Sequence, residues 1–137
     1  MSLLEHAHLK AEYFWIALGS ALGGAGRHWL SGLLAHRLGE SFPVGTLAVN
    51  VSGSFLIGLV AALSDPEGRL LINPTARQFI MVGVLGGYTT FSSFSLQTLN
   101  LAREGEWLSA AINAALSFFL CLVAVWLGHA LGQTWNR

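Results

Sequence analysis

Charge is what this chain has least of. Lys, Arg, Asp and Glu make up 10% of its 137 residues, seven of each sign, and the net charge is zero. Soluble proteins carry about a quarter of their residues as charges, so the balance argues against a water-exposed globule. A neutral chain without a basic cluster offers no footing to nucleic acid or to an anionic lipid surface. The single cysteine, Cys121, excludes an intrachain disulfide. No Asp or Glu occurs within 13–34, 41–64, 78–102 or 107–136, the four apolar stretches of the sequence. His6, His8, His28, His36 and His129 are scattered at or near the ends of these stretches. With no nucleophile–base pair and no ligand cluster, enzymatic chemistry has no visible apparatus, and an enzyme is not expected. A cleaved secretory leader is not expected either, because the first ten residues lack a basic start followed directly by a short apolar core.

What is present is apolar length. Hydrophobic residues make up 53% of the chain. Segment 41–64 runs 24 residues without a formal charge, 78–102 runs 25 and 107–136 runs 30, while 13–34 is apolar apart from Arg27 and His28. About 20 apolar residues cross a bilayer as a helix. The sequence therefore predicts one all-α integral membrane domain over 1–137, with four transmembrane helices at roughly 11–35, 43–64, 76–102 and 107–132. The links are short and carry turn signals: Gly39 and Pro43 in the first, Asp65-Pro66-Glu67-Gly68 and Asn73-Pro74 in the second, Arg103-Glu104-Gly105-Glu106 in the third. Short links favour antiparallel neighbours, and no extramembrane part is large enough to catalyse or to bind a macromolecule.

Cytoplasmic loops normally carry the excess of Lys and Arg. With four spans, one side holds Lys10, Arg69, Arg77 and Arg137, and the other holds Arg37 and Arg103 with Arg27 close by. So small a bias suits either a modest preference for an inside N-terminus or a chain that inserts both ways and pairs with an inverted copy.

Residues four apart share a helix face. Thr46, Asn50 and Ser54 stand at that spacing in the second apolar stretch, Thr90, Phe94 and Thr98 in the third, and Ser109, Asn113, Ser117 and Cys121 in the fourth. A single hydroxyl in such a place usually joins two helices, at roughly 0.6–2 kcal/mol. Three stripes, two of them with asparagine, point instead to a polar pathway. Amide and hydroxyl donors without any carboxylate suit an anion or a neutral permeant better than a proton-coupled or cation exporter. Arg27 is the one formal charge inside a span, near one end; it either snorkels to the headgroups or faces an anion from a vestibule. Gly19-x-x-x-Gly23 and Gly83-x-x-x-Gly87 have the small-residue spacing that lets helix backbones approach.

The third stretch is interrupted by Gly86-Gly87-Tyr88-Thr89-Thr90-Phe91-Ser92-Ser93-Phe94-Ser95. Glycine and hydroxyl residues are poor helix formers, and irregular backbone at membrane depth survives only where protein buries it or water reaches it. The third helix is thus expected to break at its centre. Phe91 and Phe94, three apart, share a face after the break. An aromatic ring has a negative face and a positive edge, so ring edges can meet an anion without a full charge. Carbonyls freed between Gly86 and Thr89 suit a hard cation such as Na⁺, although a water or a neighbouring helix would also satisfy them.

These residues resemble the Fluc/CrcB family of fluoride channels. The likeness rests on Gly23–Arg27, on Gly45-Thr46-Leu47-Ala48-Val49-Asn50 with Gly53-Ser54-Phe55, and above all on the 86–95 motif. It implies a four-helix subunit that forms an antiparallel, dual-topology homodimer in a bacterial inner membrane, with two fluoride pathways. It also implies that Phe91 and Phe94 are pore phenylalanines and Asn50 a pore asparagine. Thr46, Asn113 and Ser117 then line a polar track, with Thr90 among the pore candidates. Gly86 and Thr89 are expected to offer backbone carbonyls to a structural Na⁺ shared at the dimer interface, and Arg27 matches the family's first-helix arginine. Two residues depart from the pattern: Gln97 stands where relatives often carry Glu, and Cys121 stands where a hydroxyl is the better donor. The expected function is passive, selective export of fluoride; the rivals are a non-transporting assembly or regulatory subunit and a coupled anion transporter.

Overall fold

The computed structural model describes residues 3–65, 68 and 71–137, with side chains from residue 10 onward. The chain is all helix and loop among these residues. Helix α1 is Leu3–Leu38 and α2 is Val44–Leu63. Helix α3 covers 74–88, α4 is Phe91–Arg103 and α5 is Trp107–Asn136. The first helix extends beyond the expected 11–35 at both ends. Pro66, Glu67 and Arg69 of the second link lie outside the described residues.

Three of these segments are long and apolar enough to cross a membrane by length and composition: Val44–Leu63, Pro74–Arg103 and Trp107–Asn136. Four were expected. Helix α1 is long enough, at 36 residues, but its apolar stretch is diluted by Arg27, His28 and five glycines, and it falls short of the other three in hydropathy. Large apolar side chains, among them Phe14, Trp29, Leu108, Phe119, Trp126 and Trp135, are exposed along the helices. Water would penalise such a surface, whereas hydrocarbon suits it.

Local chemistry sets the helix ends. Asn73 caps α3, its Oδ1 accepting from the Ala76 N–H at 2.7 Å, with Pro74 at the first helical position, where its missing N–H costs nothing. The Ser64 hydroxyl closes α2 by donating to the Val60 carbonyl at 2.6 Å, and accepts from Arg77 Nε at 3.2 Å.

Glycines bring the helix backbones together. Between α2 and α5, a Cβ on Gly58 would strike the Val125 carbonyl and one on Gly128 the Phe55 carbonyl. Between α1 and α3, a Cβ on Gly19 would lie 2.9 Å from Gly83 Cα, and one on Gly23 would run into the Val84 carbonyl. Both small-residue pairs therefore serve packing. Gly86 does not, because its Cβ position meets only Met81 O at 3.7 Å.

Gly23→Ala is accordingly expected to destabilise the fold by about 1–3 kcal/mol, the usual cost of overpacking. Gly24→Ala, whose Cβ position meets nothing within 4 Å, is expected to change little. Thermal unfolding in detergent compares the two, and equal midpoints would remove the close approach from the account.

Between Phe79 and Leu85, α3 is π-helical. The Gly86 N–H reaches back to Met81 O, five residues earlier. Such stretches are uncommon and tend to sit at functional places. Here the stretch leads directly into the segment where helical backbone ends.

Candidate functional site

Tyr88 is the last helical residue of α3, and the next two leave helical geometry. Thr89 (φ −80°, ψ 158°) and Thr90 (φ −153°, ψ 115°) are extended, and α4 begins at Phe91. Backbone released in this way needs partners, and α2 supplies them. Asn50 on α2 takes both polar groups of Thr90: its Oδ1 accepts from the Thr90 N–H at 2.7 Å, and its Nδ2 donates to the Thr90 carbonyl at 3.0 Å. The Thr90 hydroxyl caps α4 by accepting from the Ser93 N–H at 3.2 Å. On the other side of the bend, the Tyr88 hydroxyl pairs with Ser52 Oγ at 3.0 Å, and Ser52 donates to Val49 O at 3.1 Å. Gly53 lets α2 come close, since a Cβ there would meet the Thr89 methyl and, at 3.1 Å, the Tyr88 ring.

These bonds draw two backbone donors away from the carbonyls of the bend. In a continuous helix the Gly86 carbonyl would accept from Thr90 N–H and the Thr89 carbonyl from Ser93 N–H. Both donors are instead turned elsewhere, one to Asn50 and the other to the Thr90 hydroxyl. Leu85, by contrast, keeps two donors, the Thr89 N–H at 3.0 Å and the Thr89 hydroxyl at 3.1 Å. Gly86 is exposed and Thr89 half-buried on the single chain. Neutral carbonyl oxygens released at a bend are the kind of ligand that a hard monovalent cation takes.

The extended pair turns the first residues of α4 toward a cavity of ≈ 610 Å³ between α2, α4 and α5. Asn50, Ser54, Thr90, Phe91, Phe94 and Ser117 are among its walls, and none of its lining residues carries a formal charge. The Phe91 and Phe94 rings lie with centroids 5.2 Å apart and planes at 58°, so their edges point in different directions. Phe91 is 79% exposed on the single chain, and Phe118 on the far wall is exposed as well, so the cavity is a groove open along one side.

The polar stripes are divided rather than continuous. Ser117 lines the groove, as does Cys121 one turn on. Asn113 is 1% exposed, and its Nδ2 donates to the Thr98 hydroxyl at 2.8 Å, tying α5 to α4. Thr46 faces a second cavity of ≈ 460 Å³ near the C-terminal ends of α1 and α4, shared with His28, Gln97, Asn100 and Glu104. Gln97 Oε1 is buried there without a hydrogen-bond partner. Arg27 is half-buried and lines neither cavity. Ser109 donates to the Glu106 carboxylate at 3.3 Å, an end-of-helix contact.

The structure thus brings Asn50, Thr90, Phe91, Phe94 and Ser117 to one groove and sets Thr46, Asn113 and Arg27 apart from it. The Tyr88–Ser52 bond escaped the sequence reading, because Ser52 lies off the Thr46–Asn50–Ser54 face. Its one signal was a tyrosine among the glycines of the motif, a phenol that needs a partner when buried.

Over residues 14–129 the chain matches the family described as CrcB-like protein, Camphor Resistance (CrcB). It is 64% identical over 117 residues to the fluoride-specific ion channel FluC of Opitutus terrae, covering 85% of this chain and 89% of the relative. It is 55% identical over 126 residues to FluC of Methylocella silvestris, covering 92% and 96%. With FluC of Rhodospirillum rubrum the identity is 60% over 117 residues, covering 85% and 91%. The family match takes in every residue of the groove.

Proposed function

The chain belongs to the CrcB family, and from that premise we propose that it is a passive, fluoride-selective channel that exports F⁻ from the cytoplasm. The observation that carries the reading is the charge-free groove that the bend at Thr89–Thr90 opens beside Phe91 and Phe94. Fluoride is small and strongly hydrated, so a pathway must replace lost water with several donors at once; an unpaired polar group in such a setting costs several kcal/mol. Asn50 keeps one N–H beyond the one given to Thr90, Ser54 and Ser117 add hydroxyls, and the ring edges of Phe91 and Phe94 add positive electrostatic potential without fixed charge. Thr46 and its cavity would be the way in from one end. No carboxylate or histidine lines the groove, so it lacks the groups that most often couple transport to protons.

The proposed membrane form is four transmembrane helices per subunit, the third broken at its centre, in an antiparallel dual-topology homodimer with two pathways in a bacterial inner membrane. Three features support it. The Lys and Arg bias is slight, the groove is open on one side, and Gly86 lies exposed at the bend. A second, inverted copy would close the groove and bring a second pair of Gly86 and Thr89 carbonyls to the first. Those carbonyls would hold a structural Na⁺, which supplies a fixed positive charge joining the two subunits. Arg27 would stand at a vestibule or brace its helix end.

Current in a planar bilayer tests the reading. With fluoride and chloride on opposite sides, a reversal potential set by fluoride alone is expected. Current needing a second ion gradient would mean coupling, and no current would favour the non-transporting subunit. Replacing Na⁺ with a large organic cation is expected to weaken the dimer, seen by size exclusion, and to silence flux. Flux that instead scales with a Na⁺ gradient would make the ion a coupled substrate.

A further inference from the structure

We propose that Cys121 is a thiol-modification site within the groove, where a small disulfide-forming reagent blocks the passage of the ion. This inference rests on the channel reading above. Cys121 is half-buried and lines the same ≈ 610 Å³ cavity as Phe91, Phe94 and Ser117. It stands four residues after Ser117 on α5, one turn further along the same face.

The second observation is Ser117 itself. It is 8% exposed and lines the cavity, and its hydroxyl has no hydrogen-bond partner among the described residues. Helical serines usually turn back to a carbonyl one turn earlier. An unpaired hydroxyl on the wall of a cavity can meet what enters, ion or water. The place one turn away is therefore reachable by whatever Ser117 meets. Ser54 and Asn50 line the same cavity and add polar surface to it.

The chemistry is thiol–disulfide exchange. The Cys121 thiolate attacks the sulfenyl sulfur of a methanethiosulfonate, the new S–S bond forms, methanesulfinate leaves, and the thiol proton goes to water. A small cellular disulfide would react in the same way, releasing its thiol as leaving group. The attached group would take up room in the cavity that Phe91 and Phe94 also line. A hydroxyl at this position would give no such response.

Since Cys121 is the one cysteine in the chain, labelling is unambiguous. Purified protein in liposomes is treated with methyl and then, in a separate sample, benzyl methanethiosulfonate; intact mass reports the labelling and a fluoride electrode the flux. Fluoride flux is expected to fall by about tenfold with the benzyl group, ~1.4 kcal/mol of added barrier, to fall less with methyl, and to return after dithiothreitol. Cys121→Ser and Cys121→Ala, each compared with its own untreated rate, are expected to ignore both reagents. Complete labelling with undiminished flux overturns the inference and leaves the channel reading standing. Failure of the folded protein to label overturns it too, as does equal inhibition of the serine variant. Untreated protein that carries no fluoride overturns the channel reading and the block with it.

Discussion

Asn50→Ala is expected to abolish fluoride flux and to destabilise the protein by about 2–6 kcal/mol. The Asn50 side chain holds both the N–H and the carbonyl of Thr90. Alanine leaves the two backbone groups without partners, at about 1–3 kcal/mol for each buried group. Thr90 is 8% exposed, so water has little access to replace what is lost. The backbone has one cheap escape, which is to resume the helix. Thr90 N–H would then return to the Gly86 carbonyl and Ser93 N–H to the Thr89 carbonyl, withdrawing the two freed acceptors and re-aiming Phe91 and Phe94. The variant is thus expected to lose both stability and pathway, where a pore donor alone would cost only flux. Thermal unfolding and fluoride efflux measured on the same preparation decide between these. A variant with a wild-type midpoint and wild-type flux would remove the clamp from the account.

The second large effect is expected from the rings. Phe91→Ile and Phe94→Ile keep apolar bulk and remove the positive ring edge. Each is expected to cut fluoride flux by about tenfold or more, the equivalent of ~1.4 kcal/mol on the barrier. Stability should barely change for Phe91, which is 79% exposed on the single chain, and the proposed dimer is expected to persist. Undiminished flux in both variants would rule out the ring-edge mechanism and leave the hydroxyls and amides as the sole donors.

The motif at 86–95 could be read from the sequence because its signal is local. Glycines and hydroxyls crowd a charge-free stretch, and no other arrangement of backbone explains them as simply. The clamp on Thr90 could not, because it joins residues 40 apart in the chain and depends on how α2 lies against the bend. Nor could the π-helical stretch, since Phe-Ile-Met-Val-Gly-Val-Leu reads like any apolar helix. The stripes were half legible for a geometric reason. Each step of four residues turns a helix by about 40° beyond a full turn, so a stripe winds round its helix. Ser117 and Cys121 consequently face the groove while Ser109 meets Glu106 at the helix end. The same drift puts Asn50 and Ser54 on the groove and Thr46 on the second cavity. The orphaned Gln97 oxygen had no signal in the sequence. Helix α1 falls below the other three in hydropathy because Arg27 and His28 interrupt its apolar stretch and glycines dilute it, Gly19 and Gly23 among them at the contact with α3.

The central claim is that the groove passes fluoride downhill and little else. Purified protein in KF-loaded liposomes, with fluoride efflux followed by electrode and chloride-loaded vesicles beside it, tests this most directly. The account predicts rapid release of fluoride once valinomycin lets K⁺ follow, slow release without it, and retention of chloride throughout. Vesicles that keep their fluoride after valinomycin, with protein shown to be folded and dimeric, would contradict it.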